Sequence, residues 1–287
     1  MIYDNVSAYK FVDLFEADLP ELKSSLLSKA VELQLKGTIL LSTEGINLFV
    51  AGLPDSVQDF LSFLASDCRF SDLPAKLSQS TEQPFTRMLV RIKKEIISMG
   101  REEVKPAQHT AEHLSAQELK KWYEEGRDML ILDTRNNYEV DLGTFKDAVD
   151  LNIDTFRAFP DAVKELPDAY KKKPVVTFCT GGIRCEKAAE YMLQQGYEEV
   201  YQLDGGILKY FEECGGRHYQ GECFVFDKRV SVDADLKETA VTQCYACRMP
   251  LTIEQQSDTG ACPHCGDNAL TGIKANQVKD ENATHTL

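Results

Sequence analysis

The chain has no surplus of positive charge. Its 32 lysines and arginines face 46 aspartates and glutamates, a formal net charge of −14 over 287 residues. Bulk charge therefore argues against a protein that coats nucleic acid indiscriminately, DNA included, and leaves RNA to a local patch. Histidine is scarce. His109, His113, His218, His264 and His285 are all there are, and no pair of them with a carboxylate reads as a non-haem iron site. No dinucleotide fingerprint is found. No apolar run approaches the roughly 18 residues that cross a bilayer. The opening MIYDNVSAYK lacks a basic stretch followed by an apolar one, so no secretory signal is expected. A cytoplasmic protein without a membrane partner is predicted, its oligomeric state left open. Internal repeats and low-complexity tracts are also missing.

Cysteine, by contrast, is plentiful. Nine cysteines in a reducing compartment are poor candidates for structural disulfides, so metal binding, catalysis and packing remain. Cys179 and Cys185 flank one glycine-rich motif. Cys244, Cys247, Cys262 and Cys265 form two C-x2-C pairs. Cys68, Cys214 and Cys223 are scattered and read as packing residues.

At roughly 100–150 residues per domain, the length suits two domains and a small module. In residues 1–99, AYKFVDL (Ala8–Leu14) reads as a strand. Leu19, Leu22, Leu26, Ala30 and Leu33 recur at helical spacing, with Pro20 in the first turn. GTILLS and INLFVAG read as two strands joined at Thr43-Glu44-Gly45. Pro54 opens a second helix with Val57, Phe60, Leu61 and Leu64 on one face, and TRMLVRIKKEIISMG closes the unit as a strand. The order β-α-β-β-α-β predicts a ferredoxin-like α+β domain. From its last strand into the following segment, Phe85–Lys105 carries Arg87, Arg91, Lys93, Lys94, Arg101 and Lys105 against Glu95, Glu102 and Glu103. Alone, that stretch reads as a solvated basic strand.

Residues 100–114 are polar, contain a proline and read as a linker. Residues 115–217 change class. Ser115 and Glu118 make an S-x-x-E capping box before a helix through Leu119, Trp122 and Tyr123. MLILD, PVVTF and EVYQLD are short apolar strands, with helices at Arg184–Gln195 and Ile207–Glu213. Strands alternating with helices predict a parallel α/β sheet covered on both faces. Its site should lie beyond the carboxyl ends of the strands, where Asp133, Cys179 and Asp204-Gly205-Gly206 fall. Residues 218–273 read as a small cysteine-rich module. It begins with ECFVFDKRVSVD, which alternates like a strand without a partner evident in the sequence. Residues 274–287 read as a flexible polar tail.

The segment VVTFCTGGIRCEKAAEYM (Val175–Met192) sets a thiol at a strand tip, wraps it in glycine and follows it with a helix. A thiol is nucleophilic as a thiolate. A helix N-terminus favours negative charge through its free N–H groups. Gly181 and Gly182 let several N–H groups turn inward, and Arg184 adds a fixed positive charge. The product is an anion cradle of Thr180, Gly181, Gly182, Ile183 and Arg184 around Cys179. A buried cysteine in an ordinary turn is the plainer alternative. Cys185, one residue past Arg184, is a candidate resolving thiol for an oxidised Cys179, or a small residue packing the first helical turn.

These motifs resemble the rhodanese domain over Ser115–Gly216: CTGGIR its active-site loop, LILDTRNNYEV its early strand with Asp-x-Arg, and VYQLDGGILKY its closing strand and glycine turn. The resemblance implies that Cys179 carries a persulfide, that Arg184 closes the loop, and that Asp133 and Arg135 brace it. Four residues separate Cys179 from Arg184, as in rhodaneses. Related phosphatases have five, so a phosphatase is disfavoured. The whole chain, with STEGIN, PFTRMLVRIKKEIISMG, CTGGIRCEKA, GECFVFDKRV and the paired cysteines, resembles the rhodanese-related tRNA uridine hydroxylase family. That implies oxygen-dependent 5-hydroxylation of the wobble uridine, with molecular oxygen as co-substrate, the tRNA anticodon region as partner and an electron donor the sequence does not name. RNA would be met at Arg91–Lys94 and at a mouth including Arg184 and Lys187, with Tyr210, Tyr219 or Phe224 as stacking candidates. The alternative is a persulfide sulfurtransferase using the same cysteine.

In the C-terminal module, fourteen residues separate the two C-x2-C pairs. Four thiolates so spaced suit a tetrahedral, structural Zn²⁺ with no open position; a redox C-x2-C is the alternative.

Overall fold

The structure, a computed structural model, describes residues 1–256 and 260–271. The tail at 274–287 lies outside the described residues. In the first domain, β1 (Tyr3–Phe11), α1 (Leu19–Glu32), β2 (Lys36–Ser42), β3 (Gly45–Gly52), α2 (Pro54–Ala65), β4 (Ala75–Ser80) and β5 (Met88–Ile92) build a five-stranded sheet in the order β4-β1-β3-β2-β5. β3 is antiparallel to β1 and β2, and β4 is antiparallel to β1. That is the ferredoxin-like arrangement. The helices bury the stripes their periodicity marks: Leu19, Leu26 and Ala30 on α1, and Val57, Phe60 and Leu64 on α2. They close over Ile39, Leu41, Ile46 and Leu48.

The fourth strand of that pattern is corrected. It is AKLSQS, β4, not the segment around Met88. β4 is a polar edge strand whose one large apolar residue, Leu77, is exposed, so hydrophobic periodicity could not flag it. TRMLVRIKKEIISMG instead supplies β5, parallel to β2 on the opposite edge. The strand ends at Ile92 rather than running to Gly100.

The second domain runs through β6 (Glu112–Leu114), α3 (Ala116–Glu124), β7 (Leu130–Asp133), α4 (Asn137–Val140), β8 (Gly143–Phe145), β9 (Val149–Asp150), α5 (Phe159–Lys164), β10 (Val175–Phe178), α6 (Ile183–Gln194), β11 (Val200–Leu203) and α7 (Gly206–Cys214). Five strands form a parallel sheet in the order β6-β11-β10-β7-β9. Strand side chains alternate between faces. Leu130, Leu132 and Val175 therefore pack with Phe159, Ala188 and Met192 of α5 and α6. Ile131, Val176 and Phe178 pack with Leu119 of α3 and Ile207 of α7 on the other face. At the start of α3, Ser115 Oγ accepts from the Glu118 N–H at 3.2 Å, while the Glu118 carboxylate turns to the Trp122 indole at 2.8 Å.

The polar stretch 100–114 is not a free tether. Val104 and Ala111 enter the core beside Met99, and β6 is an edge of the parallel sheet. ECFVFDKRVSVD pairs with itself, Cys223–Phe224 against Ser231–Val232. Of the scattered cysteines, Cys223 is buried, Cys214 half-buried and Cys68 exposed, so Cys68 is not a packing residue. Among the described residues, no helix is long and apolar enough to cross a membrane.

Candidate active site

β10 ends at Phe178, and Cys179 follows at the carboxyl edge of the sheet, 1% exposed. Gly182 caps α6 in the left-handed region, φ +102°, and its N–H donates to Cys179 Sγ at 3.0 Å. Gly206 packs so closely that a Cβ there would stand 2.4 Å from Cys179 O. The first amides of α7 reach the same loop: Ile207 N–H donates to Cys179 O at 3.0 Å and Leu208 N–H to Thr180 O at 3.1 Å. Burial by itself would raise the Cys179 pKa. The Cys185 thiol, the Arg184 charge and the N–H groups of Arg184 and Gly182 outweigh it and hold Cys179 well below an ordinary thiol. Cys185, buried and donating, is pushed up. The opposite directions mark Cys179 as the more acidic thiol of the two.

Arg184 does not face solvent. Its guanidinium meets Glu139 in a buried bidentate pair at 2.5 and 2.7 Å, and Thr180 Oγ1 donates to the same carboxylate at 3.3 Å. Glu139 was not singled out from sequence, although Asn136-x-x-Glu139 is a helix-start pattern: the Asn136 N–H donates to Glu139 Oε2 at 3.2 Å. Asp133 and Arg135 are both buried. Asp133 takes Arg135 Nη2 at 2.6 Å and Thr144 Oγ1 at 2.7 Å, and Arg135 reaches Gly143 O at 2.6 Å. They brace the exit of β7. Their link to the cysteine loop runs through Glu139, whose backbone carbonyl accepts from Arg135 Nη1 at 3.4 Å.

The first domain roofs the loop. Tyr9 Oη of β1 donates to Glu186 of α6 at 3.2 Å. Lys76 Nζ of β4 donates to Gly181 O and Gly205 O at 2.5 and 2.7 Å. Lys187, expected at an RNA-facing mouth, is 1% exposed and paired with Glu44 and Glu95 of the first domain at 2.8 and 2.9 Å. That corrects its role to a clasp between domains, and Arg184 is likewise withdrawn from solvent. Tyr210, Tyr219 and Phe224 are core residues, so none offers an open stacking face. Phe226, near Arg184 and half exposed, was not foreseen. Arg87, Arg91, Lys93 and Lys94 are exposed just before, along and just past β5.

In the C-terminal module, the sulfurs of Cys244, Cys247, Cys262 and Cys265 all lie within 4.8 Å of one another, with Cys244 and Cys265 at 3.9 Å and Cys247 and Cys262 at 3.7 Å. Tetrahedral zinc with Zn–S bonds of about 2.3 Å requires sulfur edges of roughly 3.8 Å. The donor set therefore fits a closed site of four thiolates.

Fold and site define a rhodanese-like protein with a ferredoxin-like roof. Residues 115–213 match the Rhodanese-like domain, and residues 3–96 match the UPF0176 acylphosphatase like domain. The chain is 48% identical over 271 residues to the tRNA uridine(34) hydroxylase of Cupriavidus pinatubonensis, covering 91% of this chain and 95% of that protein. It is 50% identical over 236 residues to the protein of that name from Bordetella parapertussis, covering 82% and 98%. With that of Ralstonia nicotianae it shares 47% over 274 residues, covering 92% and 96%. The chain belongs to the tRNA uridine(34) hydroxylase family.

Proposed function

We propose that this protein hydroxylates C5 of the uridine at position 34 of tRNA, in the cytoplasm, in an oxygen-dependent reaction that requires Cys179. The observation that carries the reading is the buried Cys179, whose Sγ accepts from the Gly182 N–H at 3.0 Å in a glycine loop roofed by the first domain. It stands in a chain about half identical to curated relatives of that name along nearly their whole length. One oxygen atom of dioxygen enters the C5–H bond. The other leaves as water, with two electrons and two protons from an external donor.

In this reading Cys179 is the reactive thiolate, or carries a persulfide. Thr180, Gly181, Gly182 and Ile183 shape the cradle, and Arg184 is steadied by Glu139. Asp133 and Arg135 brace the sheet edge beneath. Cys185, pushed up where Cys179 is pulled down, is the weaker acid of the two and would serve as a hydrogen-bond donor or a resolving thiol. The anticodon region would lie against the exposed Arg87, Arg91, Lys93 and Lys94, since phosphate contacts supply most of the affinity for RNA. Cys244, Cys247, Cys262 and Cys265 would hold a structural Zn²⁺ that stiffens the C-terminal module.

The test is mass spectrometry of tRNA nucleosides from cells with the gene, without it, and with Cys179→Ala. Loss of 5-hydroxyuridine-derived nucleosides in the last two supports the proposal. Unchanged levels with a fall in thiolated nucleosides would make the protein a sulfur carrier. An active alanine variant would remove Cys179 from the chemistry.

A further inference from the structure

Three successive carbonyls after β10 each meet a donor. Cys179 O and Thr180 O accept from the first amides of α7. Gly181 O accepts from Lys76, which comes from the other domain and lies 105 residues away in sequence. A peptide unit is planar and trans, so its carbonyl and its N–H point in opposite directions. The unit that carries Gly181 O also carries the Gly182 N–H, the group that donates to Cys179 Sγ at 3.0 Å. Lys76 therefore grips the far side of the peptide whose near side holds the thiolate.

We propose that Lys76 is a positioning residue for Cys179: it orients and polarises the Gly181–Gly182 peptide, and so ties thiolate stability to docking of the first domain. A charge-assisted hydrogen bond to the carbonyl strengthens the same unit as a donor. The ammonium also takes Gly205 O, joining the cysteine loop to the glycine turn before α7. Burial lowers the Lys76 pKa and Lys209 adds to this, while the Cys179 and Asp204 charges oppose it. Around the sulfur itself stand Arg184, Cys185 and Tyr9. The proposal rests on the reading of Cys179 as the reactive thiolate.

The experiment is the pH dependence of Cys179 alkylation in the full chain, followed by peptide mass spectrometry. Wild type, Lys76→Met, Lys76→Gln and Lys76→Arg are compared, with thermal melting alongside. Poor access scales the rates at every pH alike, so the midpoint reports the thiolate. The methionine and glutamine variants should raise the midpoint by about one pH unit, and arginine should hold it near wild type. If methionine prevents folding, glutamine, a neutral donor, carries the comparison. An unchanged midpoint in a folded methionine or glutamine variant overturns the proposal, as does an equal rise in the arginine variant. A wild-type midpoint in the ordinary thiol range would instead overturn the reading of Cys179, and this proposal with it.

Discussion

Arg184 and Glu139 form a bidentate ion pair at 2.5 and 2.7 Å with both side chains buried. The arginine read from sequence as a charge for the cysteine is thus shared between a sulfur and a carboxylate. Glu139 fixes its direction, and Arg135 stands behind Glu139. Planar two-point pairing of this kind supplies geometry as well as energy.

Removing one partner of such a pair strands the other. Glu139→Gln should lower stability by about 3 kcal/mol, because Arg184 keeps its charge in a buried site. The effect has a pH signature. Burial pushes the Glu139 pKa up, but Arg184 more than offsets it and holds the carboxyl below the usual range. A depressed carboxylate stabilises the fold above its unfolded pKa, and that stability is lost as pH falls through the folded value. Urea midpoints taken from neutral pH down through the carboxylate range should converge for wild type and variant. A constant gap would mean the pair is not the source.

The exposed Arg91, Lys93 and Lys94 give a prediction about RNA. Glutamate at each position should weaken tRNA binding and flatten its salt dependence, by about one unit of slope for each phosphate left unneutralised. Binding titrations at several salt concentrations measure this. An unaltered slope would place the tRNA on another face.

The four sulfurs of the C-terminal module predict bound zinc. Protein purified without chelator should release one zinc ion per chain when its thiols are blocked, read with a metallochromic dye. Cys262→Ser should lose that zinc yet leave the Cys179 alkylation midpoint in place, because the metal is structural. Metal-free protein with a reducible disulfide among the four cysteines would make the module a redox element.

Much of this site is local and was legible in order along the chain. The strand tip at Phe178, the glycines after Cys179 and the helix from Ile183 sit in one short segment, where periodicity and torsional freedom speak directly. The spacing of the paired cysteines is equally local. Lys187 shows the limit. On sequence it is a lysine one turn past a reactive loop, and an RNA contact is a fair expectation. The structure buries it against Glu44 and Glu95. β4 was invisible for a related reason: an edge strand of serines, a lysine and a glutamine has little apolar pattern to read.

Apart from the polar edge strand β4, the sequence by itself determined the elements, the two main folds, and the glycine-wrapped cysteine at the strand tip. These depend on residues within a few positions of each other, and the chemistry of a thiol before a helix needs no distant partner. Only the tertiary structure decided which charges serve that cysteine. Glu139 turns Arg184, Lys187 clasps the first domain, and Lys76 holds the peptide that faces the sulfur. Those pairings join residues many tens of positions apart. The first follows from the packing of α4 against the cysteine loop within one domain and the other two from how the two domains dock, and hydrophobic period and motif spacing encode neither.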